Sequence, residues 1–287
     1  MYEEGVNNYD TLVLSGGAIN GIIILGALQY CKDKGLINKI KTYVGTSVGA
    51  IISYLLIIGY TPVEIIVYLC TNNGVFQKLK YFDINSGCRG DGATTFLHIS
   101  EYLERMTTEK IGRLITMKDV KNIYGVEFVC TTFNVTKNTT EYISSSTHPD
   151  IPCLSALRMS ANLPLVFETY KYGDSFFVDG GICNNFPLNI GEEYGERVLG
   201  VVVLSPQETS TEVYPQKNML AYIYRLLSAM FQEMTNQKID MKKQGTEIIK
   251  LNSMTGIDVL NFNIDSKHKL DMFSFGYNQV SEQITPT

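Results

Sequence analysis

Three short segments of this chain carry residue types that could do chemistry together. The first is Gly45-Thr46-Ser47-Val48-Gly49, a Gly-x-Ser-x-Gly pattern. A serine hydroxyl is a weak nucleophile, and it works only when exposed beside a base and near donors that hold a developing oxyanion. Glycines two residues either side permit the tight turn this needs, because a Cβ at Gly45 or Gly49 would crowd the backbone. The β-prone Lys41–Val44 precedes the pattern and the helix-like Ala50–Ile58 follows it. That is the strand–turn–helix context of a nucleophile elbow. Taken alone, the pentapeptide reads more readily as a small-residue turn between a strand and a helix, and the two further segments reverse that.

The second segment, Ser15-Gly16-Gly17-Ala18-Ile19-Asn20-Gly21, follows the apolar Thr11–Leu14 and opens a helical stretch. Its spacing fits neither the Gly-x-Gly-x-x-Gly of dinucleotide sites nor a P-loop, since Gly21 is followed by Ile22. An oxyanion hole needs only adjacent backbone donors near the serine, which Gly16 and Gly17 can supply. The third segment is Phe177-Val178-Asp179-Gly180-Gly181, where a carboxylate ends a strand and could take the proton of Ser47. A turn aspartate bonding its own backbone is the alternative. The three histidines, His98, His148 and His268, lie in no catalytic-looking motif, so a serine–aspartate dyad fits better than a triad.

Strand-like and helix-like stretches alternate along most of the chain. Strands are expected at Thr11–Leu14, Lys41–Val44, Gly125–Val135, Glu141–Ser145, Ser175–Val178, Arg197–Leu204 and Glu247–Leu251. Helices are expected at Ile22–Lys34, Ala50–Ile58, 61–70, 151–161, 217–243 and from Lys267 onward. Gly35 suits a helix C′ position, and Thr61-Pro62-Val63-Glu64 reads as a capping box. The stretch Asn72–Ala93 reads as an irregular lid or insertion. Along Met219–Met234, Leu220, Ile223, Leu227, Met230 and Met234 share one face, read as core packing in preference to membrane contact. The fold class expected is α/β, a mainly parallel central sheet with helices on both faces, in one domain.

Composition bounds the function. The 287 residues are 45% hydrophobic and 18% charged, with a net charge of -5 that argues against a nucleic-acid partner. Six scattered cysteines show no zinc spacing, so neither metal nor cofactor is expected. The acidic start lacks a basic signal region, and no apolar window approaches the ~20 residues of a spanning helix. A reducing, cytoplasmic location is therefore expected.

The order of these segments resembles the patatin-like phospholipases over about the first 205 residues. Ser155–Phe167 resembles the stretch before that family's Asp-Gly-Gly turn, and Asp179–Pro187 resembles the turn with its Asn-x-Pro continuation. The resemblance implies a metal-free lipid acyl hydrolase, with an architecture related to the α/β-hydrolases, acting at a peripheral membrane surface on phospholipid or another acyl lipid. It implies Ser47 as nucleophile, Asp179 as base, and Gly16, Gly17 and Ala18 as oxyanion donors. The chain departs from the family in having Ala18 for a third glycine and Asn20 for Arg or Lys. An activating protein partner stays open. Two rivals remain: an esterase using His268 as a triad histidine, and a degenerate lipid-binding module.

Overall fold

The computed structural model describes residues 9–71, 94–204, 219–254 and 264–284. Eight strands form one sheet: β1 Thr11–Leu14, β2 Thr42–Thr46, β3 Glu127–Asn134, β4 Thr139–Ile143, β5 Tyr170–Tyr172, β6 Ser175–Asp179, β7 Val198–Leu204 and β8 Thr246–Asn252. Their order is β5-β6-β3-β2-β1-β7-β8, with β4 also on β3. The run β3-β2-β1-β7-β8 is parallel, whereas β4, β5 and β6 pair antiparallel. The sheet is thus mixed, with the parallel centre the sequence leads one to expect.

The helices are α1 Gly21–Asp33, α2 Val48–Ile57, α3 Pro62–Thr71, α4 Leu97–Ile111, α5 Met117–Tyr124, α6 Cys153–Ser160, α7 Gly181–Asn184, α8 Leu188–Tyr194, α9 Met219–Asp240 and α10 Ser266–Ile284. Alternation along the buried strands explains why both faces are covered. Leu12 and Leu14 of β1, with Leu199 and Val201 of β7, join the larger core of α1, α2, α3 and α10. Val13, Val198 and Val202 point the other way, into a smaller core with Leu188 and Ile190 of α8 and Ile239 of α9.

Local chemistry sets several boundaries. Gly35 takes φ +72° after α1. The capping box at α3 forms as read, with the Thr61 N–H donating to Glu64 at 2.7 Å and the Glu64 N–H to Thr61 Oγ1 at 3.1 Å. Helices α4 and α5 fall where the sequence reading has no expectation. The candidate lid at 72–93 lies outside the described residues.

Of the face expected to pack into the core along α9, Met230 is 55% exposed and departs from the expectation, Met234 is half-buried, and the side chains of Leu220, Ile223 and Leu227 lie outside the described residues.

Candidate active site

Strand register brings Ser47 and Asp179 together. β2 pairs with Glu127–Thr131 of β3 and ends at Thr46, opposite Thr131. β6 arrives antiparallel on the same edge of β3 and ends at Asp179, opposite Thr132. The two strand ends therefore abut, and the residues that follow one and finish the other face each other across a single register step. They lie 132 positions apart in sequence.

Ser47 adopts φ 55° and ψ -125°, a backbone region that costs an L-residue on the order of 1–3 kcal/mol. Neighbouring contacts hold it there. A Cβ on Gly45 would stand 2.5 Å from the Ala50 nitrogen, and one on Gly49 would stand 2.5 Å from the Leu14 carbonyl oxygen. Both glycines are required because β1, β2 and the first turn of α2 pack backbone to backbone. The Ser47 N–H donates to the Ser160 hydroxyl at 2.9 Å, and the Thr46 hydroxyl donates to the Asn184 carbonyl at 2.8 Å.

The stretch after α6 braces the acid as well. Asp179 N–H donates to the Asn162 carbonyl at 2.9 Å, and Asn162 Nδ2 donates to the Phe177 carbonyl at 3.0 Å. Sequence reasoning singles out Ser155–Phe167 but assigns Ser160 and Asn162 no role. Their role is to align the two strand ends, and a serine or asparagine serving backbone groups of distant strands leaves no local pattern.

Asp179 is 2% exposed. Burial pushes its carboxyl up to about 6, against the opposing pull of the Ser47 hydroxyl and the Gly181 N–H, which donates to Oδ1 at 2.7 Å. Oδ2 is buried with no hydrogen-bond partner among the described residues.

The glycine-rich loop lies beside the serine. The Gly16 N–H donates to the Asn185 carbonyl at 2.9 Å, which spends one of the three expected donors. Gly17 is extended at φ 170°, and Ala18 sits at φ 47°. The N–H groups of Gly17 and Ala18 have no acceptor among the described residues. Asn20 is buried at 5% exposure.

Two cavities meet at this point. One of about 120 Å³ is walled by apolar side chains of α1, α2, α3 and α4, including Leu25, Ile52, Leu55 and Leu103. The other, of about 80 Å³, is polar and takes in Gly17, Asn20, Asp179 and Asn185, with Ser228, Gln232 and Thr235 of α9. Ser47, Ala18 and Leu163 belong to both. None of the histidines lines either cavity, and His268 is exposed and bonded to Asp265 at 2.9 Å. Among the described residues, no three His, Cys, Asp or Glu side chains gather as metal ligands.

Residues 12–191 match the family described as patatin-like phospholipase. A probable lipid hydrolase of Invertebrate iridescent virus 6 is 39% identical over 192 residues, 65% of this chain and 64% of its own length. An uncharacterized protein of Acanthamoeba polyphaga mimivirus is 27% identical over 282 residues, 95% of this chain and 93% of its own. Among solved structures, VipD from Legionella pneumophila superposes with a TM-score of 0.54 at 15% identity, over 96% of this chain and 66% of that one, a likeness of fold. The matches to the iridescent-virus protein and to VipD thus span just under two thirds of those chains. With more than half of its length matched to the family, and with the elbow, glycine-rich loop and aspartate turn at one sheet edge, the chain belongs to the patatin-like phospholipases.

Proposed function

We propose that this chain hydrolyses carboxylic esters of lipids, with Ser47 as nucleophile and Asp179 as its base. The observation that carries this reading is the position of Ser47 where an apolar cavity meets a polar recess. A lipid ester divides at the same place, with a hydrocarbon chain on one side of the carbonyl and a polar alcohol on the other. Burying the chain in the apolar cavity gains roughly 0.8 kcal/mol per methylene, which supplies binding energy for the reaction.

In the proposed reaction the carboxylate of Asp179 takes the Ser47 proton as Oγ attacks the ester carbonyl. The oxyanion forms against the N–H groups of Gly17 and Ala18, whose hydrogen bonds strengthen as charge develops. Asp179 then returns the proton to the leaving alcohol. Water, deprotonated by the same carboxylate, cleaves the acyl-enzyme to free fatty acid and Ser47. A base near pKa 6 suits this work, because it is ionised at neutral pH yet more basic than an exposed carboxylate.

The reading extends to a cytoplasmic protein that visits membrane surfaces. Leu226 and Met230, one helical turn apart on α9, are 49% and 55% exposed on the helix that supplies Ser228 and Gln232 to the polar recess. Labelling with an alkyl fluorophosphonate tests the nucleophile directly. The intact mass should rise by one phosphonyl group in the wild type and stay unchanged in Ser47→Ala. A label on another residue, or none on the wild type, overturns the assignment.

A further inference from the structure

An ion pair outside the catalytic groups fastens the wall of the apolar cavity. Arg158, in the last turn of α6, is 6% exposed. Its Nη2 donates to the half-buried Glu168 carboxylate at 2.9 Å and to the Glu168 carbonyl at 3.1 Å. Three rings lie against the guanidinium, with centroids at 4.2 Å for Phe96, 5.3 Å for Tyr170 and 5.8 Å for Phe167. Burial pushes the Arg158 pKa down to about 10, against Glu168 and Tyr170, so the group is cationic at neutral pH.

Glu168 carries the pair across to α4. Its carboxylate accepts from the Phe96 N–H at 3.0 Å, immediately before that helix, and from the Thr95 hydroxyl at 3.4 Å. The Thr94 N–H donates to the Val166 carbonyl at 2.8 Å, and the Phe96 and Phe167 rings meet edge to face at 4.9 Å. Leu165, within the same turn, takes φ 69°, a strained conformation that persists only where its surroundings over-determine it. The far end of α4 is held separately, by the Tyr60 hydroxyl on the Met106 carbonyl at 3.0 Å and by Tyr54 Oη, 3.1 Å from Thr107 Oγ1. Phe96, Leu163 and Phe167 line the apolar cavity together with Ser47. The pair therefore joins two stretches of chain that both contribute to that wall.

We propose that Arg158 and Glu168 are positioning residues for acyl-chain recognition. Their pair docks the start of α4 on the turn after α6, holds Phe96 and Phe167 as one wall, and so favours long acyl chains over short ones. Packing of the two rings alone is non-directional, whereas a carboxylate shared between a guanidinium and the helix's leading N–H fixes a single position for the helix start. The pair acts on chain binding because the parts it joins are the wall. Each methylene that loses its apolar wall weakens binding about fourfold, so losing contact with two costs about fifteenfold. This deepens the proposed ester hydrolysis and rests on the apolar cavity being the acyl site.

Kinetics with p-nitrophenyl octanoate and acetate test this in Arg158→Met with Glu168→Gln, a double variant that leaves neither charge buried without its partner. The ratio of kcat/KM, octanoate over acetate, should fall about fifteenfold, through a raised KM for the octanoate. An unchanged ratio, or an equal loss on both esters, overturns the proposal. Glu168→Asp keeps the charge but is one methylene too short to reach both partners. It should lower the ratio in the same direction and decides where the double variant fails to fold, an unchanged ratio again overturning the proposal. Calorimetric titration of Ser47→Ala with methyl octanoate separates binding from turnover, and the double change in that background should weaken binding by the same factor. No binding to Ser47→Ala, or binding that the double change leaves alone, overturns the proposal. A wild type that hydrolyses neither ester, while binding weakens as expected, removes the hydrolase reading and leaves the role of the pair standing.

Discussion

Replacing Asp179→Asn should abolish ester hydrolysis and yet make the protein more stable at alkaline pH. The carboxyl's pKa rises from 3.8 to about 6 on folding, with burial the leading cause. At about 1.4 kcal/mol per pKa unit, the buried carboxylate is some 3 kcal/mol worse off than one in water. The sign follows from proton counting. Between pH 3.8 and about 6 the folded chain keeps a proton that the unfolded chain has released, so stability falls as pH rises through that window. Above it the full penalty applies, and below it both states are protonated and the penalty vanishes. Asparagine carries no charge, and its carbonyl can still accept from the Gly181 N–H. Allowing about 1 kcal/mol for a weaker bond to a neutral acceptor, the variant should gain about 2 kcal/mol at pH 8. The gap should shrink to a few tenths at pH 4. Urea unfolding of both proteins at the two pH values measures this. A variant less stable than the wild type at pH 8, or an equal gap at both pH values, refutes the buried-carboxylate reasoning.

The same ionisation predicts that kcat/KM for a soluble ester falls on acidification, with a midpoint near 6, as Asp179 gains the proton it must otherwise take from Ser47. Gly49→Ala should cost about 1–3 kcal/mol of stability and most activity, since its Cβ would meet the backbone oxygens of Leu14 and Ser15 at 2.5 and 2.6 Å. Asn20→Lys should raise the ratio of kcat/KM for anionic over neutral esters several-fold at low salt, worth about 1 kcal/mol, because Asn20 lines the polar recess with Ser47. An unchanged ratio shows the charge to be irrelevant there. Hydrolysis of a short soluble ester should survive excess chelator and His268→Ala, the latter because that ring faces solvent beside Asp265. Loss of activity with either contradicts the dyad.

The parts of the site legible in the sequence are those written in contiguous residues. The elbow glycines, the glycine-rich loop and the aspartate turn each announce a local backbone requirement, and the alternation of elements predicts the parallel centre of the sheet. What stays hidden is long-range. Gly16 reads as a free donor because nothing near it shows that the Asn185 carbonyl, 169 residues later, takes its N–H. The abutting of β2 and β6 depends on register along β3, which alternation alone does not fix. Helix α4 escapes notice for a related reason: its first N–H groups are served partly by the carboxylate of Glu168, which accepts from the Phe96 N–H at 3.0 Å. By contrast α5 opens on a capping box, Thr116 with Asp119, a signal that is local and present in the sequence. Met230 shows the limit of helical periodicity, which identifies a face without saying whether protein covers it.

Fatty-acid release from phospholipid vesicles, with purified wild type beside a folded Ser47→Ala, tests the central claim most directly. The wild type should release fatty acid steadily and the variant should lose about three orders of magnitude or more, as expected when a nucleophile is removed. Appreciable turnover by Ser47→Ala would contradict it.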